Sequence, residues 1–197
     1  MCGIVGFVNL KQELNKEKYR YVLSNMTNKI SRRGPDEDGF YLKEHVYLGH
    51  KRLIVVDSEG GKQPMICKFE NNTYTIVYNG QLYNTEDLRK ELKEEGFEFN
   101  SHSDTEVLLK SYIHWGYEVV NKLNGIFAFA IWDEQKQELF IARDHFGVKP
   151  LYYTIFENTF IFASEVKCLL EFPEIETKID KEGICELFGL RTMPYFW

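Results

Sequence analysis

The chain has 197 residues, 44% of them hydrophobic and 27% charged, with a formal net charge of −6. A chain of this length and composition is an ordinary globular protein that can bury a core without covalent staples. Its acidic and basic residues are mixed along the length, which excludes the clustered basic face of a nucleic-acid binder and a basic amphipathic membrane helix. No apolar run approaches membrane-spanning length.

Residues 3–8 (GIVGFV) read as a buried strand that begins almost at the first residue. Over residues 16–30, Val22, Leu23, Met26 and Ile30 recur at helical spacing. Residues 31–39 (SRRGPDEDG) are dense in loop formers. Short β-rich pieces follow at 40–42, 46–48, 53–56 and 74–78. Residues 84–95 read as a helix with Asn84 as its cap and Gly96 as its stop. Residues 103–115 read as another, with Ser103 and Glu106 in the S-x-x-E spacing of a capping box and Gly116 closing it. From 126 the pattern turns strongly β: 126–132 alternates large and small residues, then come 138–142 and a hairpin of 151–155 with 159–163. Ser164 stands as the cap of a last helix through Leu170. From 173 the chain is less regular and reads as the exit from the domain.

Cysteines stand at 2, 67, 168 and 185, with no C-x-x-C pair, so neither a zinc knuckle nor a redox motif is indicated. The five histidines lack metal-ligand spacing, and no glycine-rich phosphate loop is present. Nothing at the N-terminus has the form of a signal peptide. A reducing cytoplasm with free thiols is therefore expected.

Four places carry chemistry. If the initiator Met is removed, Cys2 becomes N-terminal. Its α-amine, with an ordinary pKa of about 7.7–8.0, can then serve as base for a thiol of about 8.5, and a nucleophile paired with its own amine is a working catalytic arrangement. Arg52 offers a planar fork that suits a carboxylate, although an Arg before an apolar strand also suits a surface ion pair. Asn79-Gly80 is a strong hairpin signal; its alternative is an oxyanion hole, made of the Asn79 side-chain amide and the Gly80 N–H. Asp104 falls in a first helical turn, where the dipole alone favours a carboxylate; its functional reading is a receiver of an α-ammonium group.

Met1-Cys2-Gly3-Ile4-Val5-Gly6 resembles the start of class II glutamine amidotransferases, which are N-terminal-nucleophile hydrolases. Further blocks narrow the likeness: Arg33-Gly34-Pro35-Asp36, His50-Lys51-Arg52-Leu53, Tyr78-Asn79-Gly80, Asn124-Gly125-Ile126-Phe127-Ala128-Phe129-Ala130, and Arg143-Asp144-His145-Phe146-Gly147-Val148-Lys149-Pro150-Leu151-Tyr152-Tyr153. In that order they resemble the glutamine-hydrolysing asparagine synthetase family. The resemblance implies an α+β fold of four layers, αββα, with two antiparallel sheets between helical layers. It implies Cys2 as nucleophile and Asn79 and Gly80 as oxyanion hole. It implies Arg52, with backbone groups of Leu53, Ile54, Val55 and Val56, on the glutamine α-carboxylate, and Asp104 on the α-ammonium. Gln81 stands where the family usually has Glu, and would tune the amino-acid end of the site.

The glutaminase domain is expected over residues 1–172, with 173–197 a tail or the start of an interdomain segment. The half-reaction needs no cofactor and no metal. In a full-length enzyme the ammonia would amidate aspartate activated by ATP and Mg2+ in a synthetase domain that this chain does not contain. Glutamine is the expected partner, with aspartate and ATP in the whole enzyme; a homodimer is left open. Two rival readings use the same residues. One is another class II amidotransferase or an N-terminal-cysteine amide hydrolase. The other is a degenerate glutamine-binding regulatory module, for which Gln81 is the only argument.

Overall fold

The structure is a computed structural model that describes residues 1–55, 57, 59–178 and 181–190. Among the described residues nine strands, Gly3–Asn9 (β1), Glu37–Leu42 (β2), Val46–Arg52 (β3), Met65–Phe69 (β4), Asn72–Leu82 (β5), Gly125–Asp133 (β6), Glu138–Arg143 (β7), Tyr152–Phe156 (β8) and Thr159–Ala163 (β9), make two antiparallel sheets. The first has the order β2-β3-β1-β9-β8 and the second β4-β5-β6-β7. The α-helices among the described residues are Lys16–Lys29 (α1), Thr85–Glu94 (α2), Asp104–Trp115 (α3), Val166–Leu169 (α4) and Lys181–Leu190 (α5), and a 3-10 turn follows α3 at Gly116–Asn121.

The period-2 alternation of a strand sorts its side chains into two faces. In β1, Val5 and Phe7 pack with Val22, Leu23, Met26 and Ile30 of α1. Ile4 and Val8 face the other way, into a layer shared with Val77 of β5 and Ala128, Ala130 and Trp132 of β6. In β6, Phe127, Phe129 and Ile131 join Leu88 and Leu92 of α2 and Val107, Leu108 and Leu109 of α3. Three buried clusters thus separate four layers: α1 with α4, the first sheet, the second sheet, and α2 with α3. This is the αββα arrangement expected from the resemblance.

The small residues in that alternation set how closely the sheets stack. Ala128 and Ala130 face inward between the sheets, and both are fully buried. Gly6 lies on the same face of β1, and a Cβ there would stand 2.6 Å from the Phe162 ring and 2.8 Å from the Tyr47 carbonyl.

Several local expectations are corrected. No strand runs through residues 53–55, because β3 ends at Arg52 and the next N–H groups turn to other partners; Val56 lies outside the described residues. Asn79-Gly80 is not a hairpin turn: β5 continues to Leu82, with Asn79 opposite Ala128 and Gly80 opposite Phe127. The edge strand β4 alternates half-buried Met65 and Cys67 with exposed Ile66 and Lys68, but its sequence is apolar at four of five positions and carries no period-2 signal. The capping box is only half made. Ser103 accepts from Thr105 N–H at 3.1 Å, but Glu106 is drawn to Asn100 N–H, Ser101 N–H and the Lys110 ammonium. Asn84 gives α2 no side-chain cap; it bonds Lys122 and Asn124 and so ties down the entry to β6. Ser164 does not cap the short α4, whose N-cap is Glu165; its hydroxyl accepts from Ile4 N–H at 2.9 Å. Within 173–197, a stretch read as irregular, α5 is helical.

Overpacking a tight layer costs about 1–3 kcal/mol. Gly6→Ala should destabilise the protein by that amount in denaturant unfolding; an unchanged midpoint would show that the sheets can part at no cost.

Candidate active site

β1 starts at Gly3, and the alternation that places Ile4 between the sheets places Cys2 on the same side, where the layer opens. The Cys2 thiol is half-buried. Leu53 N–H donates to its sulfur at 3.4 Å, and the thiol lies 3.6 Å from the Leu53 carbonyl. The Cys2 carbonyl accepts from Arg33 Nε at 2.9 Å, and Arg33 is held in turn by Glu165. Gly34 lets its loop press on the end of β3, since a Cβ there would lie 2.3–2.4 Å from backbone atoms of Lys51 and Arg52. Asp36 accepts from Ile54 N–H at 2.7 Å. The Arg33-Gly34-Pro35-Asp36 block, quoted above without a role, is thus the scaffold under Cys2 and Leu53.

β5 supplies the facing wall. In an antiparallel ladder, N–H and C=O groups of alternate residues point to opposite sides. Phe127, opposite Gly80, turns both of its groups to Asp144, so Gly80 turns away from β6. Tyr78 and Leu82 show the same direction: Tyr78 N–H donates to Gln63 Oε1 at 2.6 Å and Leu82 N–H to Asp104 Oδ2 at 3.3 Å. The pairing of β4 reaches β5 only as far as Ile76. The Gly80 N–H therefore faces the cleft from between two occupied neighbours. A Cβ on Gly80 would stand 2.5 Å from the Tyr78 ring and 2.6 Å from the Ile126 carbonyl.

Asn79 is 2% exposed, and its Nδ2 has no hydrogen-bond partner among the described residues. A buried donor left unmatched costs about 1–3 kcal/mol, so this amide points to an acceptor that arrives with a ligand. Cys2, Asn79, Gly80, Gln81, Arg52 and Asp104 all line one cleft of about 190 Å³. Met1 lines it too, which puts the initiator residue in the space beside the thiol.

Arg52 is buried rather than on the surface, and its guanidinium is already engaged. Nη1 donates to Glu37 at 2.7 Å and Nη2 to the Asp57 carbonyl at 2.5 Å. Asp57 itself accepts from Gly60 and His102 N–H groups, which hold its carboxyl below the usual range. Of the backbone groups expected beside Arg52, Leu53 and Val55 line the cleft, whereas the Ile54 N–H is taken by Asp36; Val56 falls outside the described residues.

Asp104 opens α3, and burial pushes its carboxyl up against hydrogen bonds from the Tyr78 hydroxyl, at 2.8 Å, and from Leu82 N–H. Gln81 is exposed at the rim. Sequence reasoning gave no role to Gln63, Tyr78 or Lys149, which also line the cleft. Tyr78 and Lys149 lay inside quoted motifs; Gln63 carried no local signal. Among the described residues no group of three His, Cys, Asp or Glu side chains could hold a metal, and no helix is long and apolar enough to cross a membrane.

A family profile described as a glutamine amidotransferase domain matches residues 1–195. The chain belongs to this family. It is 54% identical over 96% of its length to the asparagine synthetase (glutamine-hydrolysing) 3 of Bacillus subtilis, and 43% identical over 98% to asparagine synthetase (glutamine-hydrolysing) 1 of the same organism. It spans 31% and 30% of those relatives' own length. The amidotransferase domain is thus homologous to the glutamine-hydrolysing part of asparagine synthetases, which supports the main reading over its rivals. A solved structure titled as the allosteric regulatory enzyme of purine biosynthesis superposes with a TM-score of 0.72 at 22% identity, over 86% of this chain and 43% of that one. That likeness speaks for the fold alone.

Behind the amidotransferase site, His50 of β3 bonds the Tyr78 carbonyl of β5 at 3.1 Å and so bridges the sheets. Burial pushes this imidazole down to about 4; the Tyr78 carbonyl opposes the shift and the Arg52 charge adds to it. Between the ordinary 6.5 and about 4, the unfolded chain takes up a proton that folded His50 refuses. Stability should therefore fall as pH drops through that window, by about 3 kcal/mol over the whole of it. In urea unfolding at about pH 7 and about pH 4, His50→Gln should lose less stability than the wild type by roughly that amount. Equal losses would show that His50 is not held neutral.

Proposed function

We propose that the domain hydrolyses glutamine through a γ-glutamyl thioester on Cys2. Removal of Met1 frees the α-amine of Cys2, which accepts the thiol proton. The sulfur adds to the side-chain amide carbon of glutamine, and the negative oxygen takes the Asn79 Nδ2 and the Gly80 N–H as donors. The C–N bond then breaks, the proton held by the amine goes to the departing nitrogen, and ammonia leaves. Water attacks the thioester, glutamate departs, and the thiol is restored. The observation that carries this reading is the buried, unpartnered Asn79 amide on the wall of the same cleft as Cys2.

Arg52 is the group for the substrate α-carboxylate. Glu37 and the Asp57 carbonyl hold its fork in place at the price of part of its charge. Asp104 receives the α-ammonium. Because burial raises the Asp104 carboxyl, glutamine binding weakens as pH falls, at a pH above the usual aspartate range. Gln81 adds a neutral carbonyl at the rim, where the family's usual Glu would add a charge. The step itself uses no cofactor or metal. In a longer protein the ammonia would pass to a unit outside residues 1–172, where ATP and Mg2+ would serve to activate aspartate. A cytoplasmic setting suits the free thiol on which the step depends.

The test is a glutaminase assay on protein whose Met1 status is fixed by intact mass. Met1-free protein should release glutamate and ammonia in equal amounts. Cys2→Ala and Met1-bearing protein should release neither, since a retained Met1 both acylates the amine and sits in the cleft. Normal turnover with Met1 in place would remove the α-amine from the mechanism.

A further inference from the structure

The motif between β7 and β8 places on the wall of the cleft, against Met1, a cation that the mechanism above does not use. Asp144 clamps this loop to β6. Its carboxylate accepts from the N–H groups of Val148 at 2.9 Å, Lys149 at 3.0 Å and Phe127 at 3.2 Å. Burial would raise its pKa, but these backbone donors outweigh that and hold it low. Arg143 Nε donates to the Lys149 carbonyl at 2.7 Å. The Lys149 backbone is thus fixed from both sides, tied to Phe127, the residue opposite Gly80.

Four cationic side chains are buried among the described residues: Arg52, Arg89, Lys110 and Lys149. Arg52 holds Glu37, Arg89 holds Glu86, and Lys110 holds Glu106. Lys149 holds no carboxylate among the described residues. Its ammonium reaches into the cleft, and its hydrogen-bond contact there is the Met1 sulfur at 3.3 Å. A thioether is a weak acceptor for a group with three donors, and burying an ammonium without a strong acceptor is costly. Removal of Met1 takes even this contact away.

We propose that Lys149 is a further catalytic residue, whose ammonium stands beside Cys2 in the Met1-free protein and stabilises the negative charge of the thiolate and of the tetrahedral oxyanion. This rests on the glutaminase reading. Lys149 gives up no proton in the cycle: the leaving nitrogen is protonated by the Cys2 amine, and the ammonium acts as a fixed positive charge opposite the Asn79 and Gly80 donors. Met1 occupies the position in the unprocessed chain, so its removal frees the base and uncovers the charge together.

The experiment compares Met1-free wild type with Lys149→Met, Lys149→Gln and Lys149→Arg. Loss of one oxyanion donor costs about 10²–10³ in kcat; the two neutral variants should lose on that order in kcat with little change in KM, and Lys149→Arg should recover most of it. A readout independent of glutamine is the rate of Cys2 alkylation by anionic iodoacetate relative to neutral iodoacetamide. That ratio should fall several-fold in both neutral variants and be retained in Lys149→Arg, a pattern that mere loosening of the loop would not give. An unchanged ratio in Lys149→Met and Lys149→Gln would overturn the proposal, even if the wild type is a good glutaminase. A ratio that falls in Lys149→Met and Lys149→Gln, relative to a wild type that hydrolyses no glutamine, would keep Lys149 beside Cys2 while refuting the glutaminase reading.

Discussion

Cys2 leads into the first sheet and Asn79 stands in the second, and the geometry of the cleft depends on the fixed distance between those sheets. A single layer of side chains sets that distance. Gly6, Ala128 and Ala130 supply no bulk where Phe162 and Trp132 supply much, so the faces interlock in one way. Close-packed interiors resist displacement of a fraction of an ångström, and the buried His50 bond to the Tyr78 carbonyl pins the layer at its open end. A thiol on the last residue before a central strand is then aimed as firmly as the strand itself.

The polar half of the site follows from where a strand stops. β4 ends its pairing at Ile76, while β5 runs on for six more residues. Along that uncovered edge the N–H groups of Tyr78, Gly80 and Leu82 need acceptors, because unmatched buried backbone groups are rare. Gln63 and Asp104 take the outer two, and the middle one is left for a ligand. Arg33, Gly34 and Asp36 brace the opposite wall through Cys2, Arg52 and Ile54. The polar lining of the cleft is thus made largely of backbone groups that the sheet already holds in place.

Much of this was legible in the sequence because it is periodic or local. The alternation in 126–132 gave both faces of β6, and the helical spacing in 16–30 gave α1. Capping residues fared less well, since Asn84, Glu106 and Ser164 chose tertiary partners over their own helices. Asn79-Gly80 misled as an isolated dipeptide: whether Asn-Gly turns or stays extended is decided by the long pairing of β5 with β6, which no window of a few residues contains. The motif blocks named residues that the fold brings to one cleft. They could not show that Arg52 is shared with Glu37, or that Gln63 and Lys149 complete the walls, because those contacts join segments far apart in the chain.

The central claim is that the acyl group passes through the Cys2 sulfur. Met1-free protein mixed with isotopically labelled glutamine and quenched in acid within a single turnover should carry the label as a thioester on the peptide that begins at Cys2. The label should be removed by hydroxylamine and be absent from Cys2→Ala. Glutamate formed at full rate with no labelled Cys2 peptide at any quench time, or with label on Cys67 or Cys168 instead, would contradict the account.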